Sequence, residues 1–302
     1  MNIPAVEFLR TPDERFAQLP GFAYAPHYLE GLPGFGQLRV HYLDESPVHP
    51  SGRTFLCLHG QPTWSYLYRK MIPVFVAAGH RVVAPDLFGF GRSDKPVDDA
   101  VYTFDFHRTM LLRFIEALDL TRVTLVVQDW GGVLGLTLPM QYPERIDRLL
   151  VMNTGLGIGR SPGPGFDSWK AFVAGNPGFD IARLMKRWTP VLSDAEAAVY
   201  AAPFPDDRYR GGVRRFPELV PVSPEMAGVD ISRRAAKFFE DQWTGKTFMA
   251  IGMKDQVLGP PVMEALARKI RNCPPPMEVP DAGHFVQEWG EPIARQALAY
   301  FG

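Results

Sequence analysis

Apolar residues fall along this chain in short runs rather than long spans. Thr54-Phe-Leu-Cys-Leu58, Arg81-Val-Val-Ala84, Val123-Thr-Leu-Val-Val127, Arg148-Leu-Leu-Val-Met152 and Thr247-Phe-Met-Ala-Ile251 are nearly continuous in hydrophobicity. Such runs predict strands covered on both faces, as in a parallel sheet. Between them the period lengthens. Phe104 to Leu118 places Met110, Leu111, Phe114, Ile115 and Leu118 on one helical stripe, and Met263 to Ile270 repeats this with Met263, Leu266, Ala267 and Ile270. Strand alternating with helix predicts an α/β fold, mostly parallel, with right-handed crossovers.

The rhythm breaks between about Gly155 and Val229. This stretch has Gly- and Pro-rich ends, Ser161-Pro-Gly-Pro-Gly165 and Phe216-Pro-Glu-Leu-Val-Pro221, and carries many aromatics. Its middle holds two helical candidates, Ile181 to Trp188 and Asp194 to Tyr200, and Ser193 with Glu196 three residues on forms a capping box for the second. The expected organisation is therefore a core in two parts, residues 1–154 and 230–302, with a helical cap inserted at 155–229.

Composition narrows the function classes. Of 302 residues, 46% are hydrophobic and 22% charged, and the net charge is -1. That balance gives no electrostatic reason for a nucleic-acid or membrane partner. The first ten residues mix acids and bases without an apolar centre, and no run approaches the roughly 18 apolar residues of a spanning helix. A cytoplasmic monomer is expected, with Cys57 and Cys273 as free thiols.

The chemistry centres on Leu125-Val-Val-Gln-Asp-Trp-Gly-Gly-Val-Leu134. A buried strand breaking into a helix displays its corner residue, and one large class of hydrolases keeps a serine nucleophile there. Here the corner is Asp129. Alone, such an acid could simply cap the helix. Three further stretches favour chemistry. Leu58-His-Gly-Gln-Pro-Thr-Trp64 follows a strand and could supply an oxyanion donor, so the donors would be the backbone amides of Gln61 and Trp130. Ile251-Gly-Met-Lys-Asp255 puts an acid past a strand end, and Ala282-Gly-His284 puts a histidine in a small-residue loop. The order nucleophile, acid, histidine is that of the α/β-hydrolase fold.

Almost the whole chain resembles an α/β-hydrolase of the haloalkane dehalogenase family, in particular its dichloroethane-degrading subgroup. The resemblance rests on His59-Gly-Gln-Pro-Thr-Trp64, Asp86-Leu-Phe-Gly-Phe-Gly-Arg-Ser-Asp94, Val127-Gln-Asp-Trp-Gly-Gly132, Gly252-Met-Lys-Asp255 and Ala282-Gly-His-Phe-Val-Gln-Glu288. In the insert it rests on Phe166-Asp-Ser-Trp169, Met185-Lys-Arg-Trp188 and Tyr200-Ala-Ala-Pro-Phe-Pro-Asp206. It implies Asp129 as nucleophile, His284 as base, Asp255 as its supporting acid, and the indole N–H groups of Trp130 and Trp169 as halide ligands. It also implies a pocket bounded by Phe166, Phe216, Pro217, Val257 and Leu258. The reaction implied converts a small halogenated hydrocarbon and water into a primary alcohol and halide ion, with no cofactor and no metal.

A carboxylate suits this chemistry. Displacing halide from a saturated carbon needs no proton transfer, and the resulting ester can be hydrolysed, whereas a serine would leave an ether. Gln61 and Val133 depart from a well-studied member, which has glutamate and phenylalanine there. Asn153 follows its strand as an amide, which leaves Asp255 as the candidate acid. Epoxide hydrolases share the aspartate elbow and would use tyrosines of the insert, for which Tyr200 and Tyr209 are available. A binding protein on the same fold would have lost a triad member, and all three are present. Fluoroacetate-type enzymes need an arginine beside the elbow, where this chain has Trp-Gly-Gly.

Overall fold

The computed structural model describes residues 6–302. Residues 1–5, which begin the stretch read as unlike an export signal, lie outside them. Eight strands form one sheet in the order β10-β9-β8-β7-β4-β5-β3-β2. They are β2 (His27–Leu29), β3 (Val40–Glu45), β4 (Thr54–Leu58), β5 (Arg81–Pro85), β7 (Val123–Val127), β8 (Ile146–Met152), β9 (Lys246–Gly252) and β10 (Met277–Val279). From β5 to β10 every neighbouring pair is parallel, and β2 and β3 complete an antiparallel edge. Separately, β1 (Phe8–Leu9) pairs with β6 (Lys95–Pro96).

The sheet is buried where the sequence is continuously apolar. All five residues of β4 and all five of β7 are buried. Helices α1 (Ile72–Ala77), α2 (Phe104–Ala117), α3 (Trp130–Gly135), α8 (Val229–Asp241), α9 (Pro260–Ala267) and α10 (Gly290–Phe301) accompany the strands. On α2, Met110, Leu111, Phe114 and Ile115 enter the core, and Thr103 caps the helix by accepting from the Phe106 N–H.

Between β8 and α8 the chain forms α4 (Pro164–Gly175), α5 (Ile181–Trp188), α6 (Asp194–Ala201) and α7 (Gly211–Leu219). Both halves of the Ser193–Glu196 capping box form at the start of α6. The carbonyls of Ala202, which caps the C-terminus of α6, and of Pro203 accept bonds from Arg15 and Thr11, which tie this helix end to the N-terminal segment. Among the described residues, no helix is long and apolar enough to cross a membrane.

The sheet order explains how distant motifs meet. Strands β4, β7, β8, β9 and β10 lie side by side and run the same way, so their C-terminal ends share one edge. The segments leaving that edge carry Gln61, Asp129, Asn153, Asp255 and His284 respectively. Open α/β sheets collect functional groups at such an edge.

Candidate active site

Asp129 stands between β7 and α3 with φ 49° and ψ -126°, a backbone conformation that a non-glycine residue rarely adopts. Surrounding bonds hold it there. Its N–H donates to the Asn153 carbonyl at 3.0 Å, and its own carbonyl accepts from Thr154 Oγ1 at 2.7 Å. Two residues on, the side chain must be absent because α3 lies flush on β4. A Cβ at Gly131 would stand 1.9 Å from the Leu58 carbonyl oxygen. The Gln61 N–H donates to Asp129 Oδ1 at 2.8 Å. Trp130 begins α3, where backbone N–H groups have no intrahelical acceptor and remain free to face the site.

His284 is buried in the loop after β10. Its Nδ1 is 2.8 Å from Asp255 Oδ2, and its Nε2 is 3.4 Å from Asp129 Oδ2. Burial opposes a charged imidazole, but the attraction of Asp255 and the bonds to Asp129 and Asp255 outweigh it and raise the pKa to about 10. Burial likewise pushes against an ionised Asp255. The positive His284, bonds from His284 and Asn153, and the Val257 N–H reverse that, and hold its carboxyl below the usual value.

Asn153, which in the sequence stands out only for not being an acid, has a definite place in the structure. It is fully buried, donates to Asp255 Oδ2 at 2.8 Å and accepts from the Gly252 N–H at 2.8 Å. An amide after one strand thereby steadies the acid after the next. The signal was the chain position alone, since sheet order is needed to see the pairing.

Asp129 and His284 lie at one wall of a cavity of about 350 Å³, together with Gln61, Trp130 and Trp169. Neither the Trp130 nor the Trp169 indole N–H donates to a protein acceptor among the described residues, whereas the Trp64 and Trp243 indoles both do. Trp169, on α4, packs against Trp188 of α5 at 5.2 Å between ring centroids, and Trp188 also faces His284 at 6.2 Å. Of the residues that the resemblance implies for the pocket, Phe166, Pro217, Val257 and Leu258 line the cavity.

Phe216 does not. It is fully buried behind Trp130, with ring centroids 4.7 Å apart, and is not part of the cavity wall. Successive helical residues point about 100° apart, so on α7 Pro217 faces the cavity and Phe216 backs the indole. The chain alone does not say which of two adjacent apolar residues turns inward. Tyr200 and Tyr209 also lie off the wall. The Tyr200 hydroxyl is committed to Glu288, which Arg69 grips at 2.6 and 2.8 Å.

The alpha/beta hydrolase fold family matches residues 53–291. Among curated proteins, the chain is 41% identical to a haloalkane dehalogenase of Psychrobacter cryohalolentis, over 98% of each chain. It is 44% identical to haloalkane dehalogenase 1 of Mycobacterium tuberculosis, over 98% of this chain and 99% of that one. Among solved structures, the haloalkane dehalogenase DpaA of Paraglaciecola agarilytica, described as tetrameric, matches with a TM-score of 0.95 at 50% identity. That match covers 98% of this chain and 99% of DpaA.

Proposed function

Since this chain belongs to the haloalkane dehalogenase family of α/β hydrolases, we propose that Asp129 is its nucleophile, His284 its base and Asp255 the acid that orients the base. The enzyme hydrolyses haloalkanes to an alcohol and halide. The observation that carries the residue assignment is the placement of His284 between Asp255 and Asp129, 2.8 and 3.4 Å away, at the wall of a mostly apolar cavity.

The steps follow from the donors and acceptors present. An oxygen of the Asp129 carboxylate forms a bond to the halogenated carbon, and the carbon–halogen electron pair leaves with the halide. The free indole N–H groups of Trp130 and Trp169 receive that anion. Neutral donors stabilise it without neutralising the nucleophile beside them. Water then gives a proton to His284 Nε2 and attacks the aspartyl carbonyl, whose developing oxyanion turns to the amides of Gln61 and Trp130. Collapse expels the alkoxide, which takes the proton from His284. The regenerated Asp129 carboxyl releases its own proton to solvent, so haloalkane and water become alcohol, halide and one proton.

Five wall residues come from the inserted helices: Phe166, Trp169, Leu184, Trp188 and Pro217. This supports residues 155–229 as a cap that closes the site against the core parts 1–154 and 230–302. The unpaired Cys57 and Cys273 support a reducing, cytoplasmic setting. A monomer is our reading for this chain, although the DpaA relative is described as tetrameric. Light scattering decides it, and four chains per particle would replace the monomer.

The epoxide alternative needs a proton donor for the opened oxygen, and the commitment of Tyr200 to Glu288 leaves it unable to serve. The assay pairs 1,2-dibromoethane with styrene oxide. Wild type should release bromide and form no diol, and Asp129→Asn should do neither while remaining folded. Bromide release by Asp129→Asn near the wild-type rate, with deamidation excluded by mass, would remove Asp129 as nucleophile.

A further inference from the structure

Behind the reacting groups runs a buried set of neutral polar side chains that the steps above do not use. Gln128, the residue before Asp129, is fully buried, and its Nε2 donates to the main-chain carbonyl of His284 at 3.0 Å. Gln287, three residues beyond His284 and equally buried, donates to Gln128 Oε1 at 3.4 Å. A hydrogen-bonded path therefore joins two segments that meet at the site, the elbow and the histidine loop.

These amides are poor choices for filling a core. A buried amide must recover its lost hydration through hydrogen bonds, and Gln287 Oε1 has no acceptor role among the described residues. An aliphatic side chain would serve packing alone. Glutamine at this place supplies a donor and an acceptor on one side chain and adds no charge beside Asp129, His284 and Asp255.

We propose that Gln128 and Gln287 are positioning residues for the second half of the reaction: they fix the His284 main chain against the elbow and so set the approach of Nε2 to the water that hydrolyses the ester. The inference rests on the roles given above to Asp129 and His284. It separates the two half-reactions because Asp129 has its own anchors, the Asn153 carbonyl, Thr154 Oγ1 and the Gln61 N–H. None of these passes through the Gln128 side chain. Displacement needs only the carboxylate and the substrate, whereas hydrolysis needs water, Nε2 and the ester carbonyl aligned together.

The test is Gln128→Met, which keeps length and bulk and removes the donor. With 1,2-dibromoethane under rapid quench, the expected result is a bromide burst of one equivalent per chain at the wild-type rate. Ester hydrolysis should be slower by roughly ten- to a hundredfold, the scale of a small misplacement in a reacting group. Intact mass should show the alkyl ester accumulating on the protein, and kcat and KM should fall together. If burst and hydrolysis decline equally, or neither changes, the positioning role is overturned. His284→Gln, run in parallel, isolates the cause of a failure. An adduct in His284→Gln but none in Gln128→Met defeats only the positioning inference, whereas no adduct in His284→Gln defeats the base assignment. Should Gln128→Met fail to fold, Gln287→Met carries the same expected split and the same overturning result.

Discussion

Nδ1 of His284 lies 2.8 Å from Oδ2 of Asp255. The imidazole is thus held from behind and offers Nε2 to the cavity, the orientation a base needs when its second nitrogen must take a proton from water. His284→Gln should therefore still release about one equivalent of halide, because displacement uses no base. Turnover should fall by about 10²–10⁴-fold, the usual loss on removing a general base. Intact mass spectrometry should find the substrate, minus its halogen, attached at Asp129. A variant with normal halide binding but neither burst nor adduct would place the histidine in the first step instead.

Replacing Trp169 with Phe keeps most of the aromatic stack with Trp188 and Phe179 and removes one N–H donor. Losing one such donor in a dry site costs about 1–3 kcal/mol, so halide should bind roughly one to two decades more weakly. Quenching of intrinsic fluorescence by bromide measures it. An unchanged titration would take Trp169 out of the halide site.

The charge on His284 should follow the state of Asp129. With Asp255 and Asp129 both anionic, its pKa stands at about 10. Alkylation turns Asp129 into a neutral ester and removes its share of that rise, while Asp255 remains. The ester form should thus have a His284 pKa below 10. A base acts when neutral, so single-turnover ester hydrolysis should climb with pH through that lowered midpoint and then level off. A midpoint at or above the value for the free enzyme would show that the Asp129 charge contributes nothing.

Glu288 sits fully enclosed between Arg69, Lys70 and Tyr200, and Arg69 also reaches Glu196 of α6 at 2.8 Å. Arg69→Met leaves a buried carboxylate short of its main counter-charge and should destabilise by about 3–5 kcal/mol. Tyr200→Phe removes one hydrogen bond and leaves both cations in place, for about 1–3 kcal/mol. Urea unfolding of the two variants should return that order. Equal losses would mean that Glu288 does not depend on Arg69.

Gln61, Asp129 and Asp255 were legible as candidates because each follows a short apolar strand, and β4 and β7 occur at the bounds their patterns predict, whereas His284 follows the three-residue β10, whose central glutamate hides it. Local signals also served in the insert, where Ile181–Trp188 is a helix over its whole predicted span and Ser193 caps the next. Other elements left weaker traces. In β3, Val-His-Tyr-Leu-Asp-Glu mixes polar and apolar residues because it lies near the sheet edge, with only part of its surface covered. Helix α4 begins inside the Gly- and Pro-rich stretch that reads as a boundary, and Pro164 occupies a first-turn position where proline is tolerated. The partnerships of Asn153 with Asp255, and of Gln128 with the His284 carbonyl, join residues about a hundred or more positions apart. No local pattern encodes them, since they follow from strand order.

The bare main chain beneath Asp129 has a stereochemical consequence. A methyl group at Gly60 would stand 2.1 Å from Asp129 Oδ1, and the same oxygen is tied to the Gln61 N–H. With Asp129 as the proposed nucleophile, substrate should therefore reach the carboxylate from the cavity side, with its halogen directed away from the attacking oxygen. That backside displacement turns the carbon inside out, and hydrolysis then cuts the acyl–oxygen bond without touching the carbon again. A chiral secondary bromide entering as one hand should leave as the alcohol of the opposite hand. In the first turnover, the oxygen it carries away should come from the side chain of Asp129, with solvent oxygen left behind in its place.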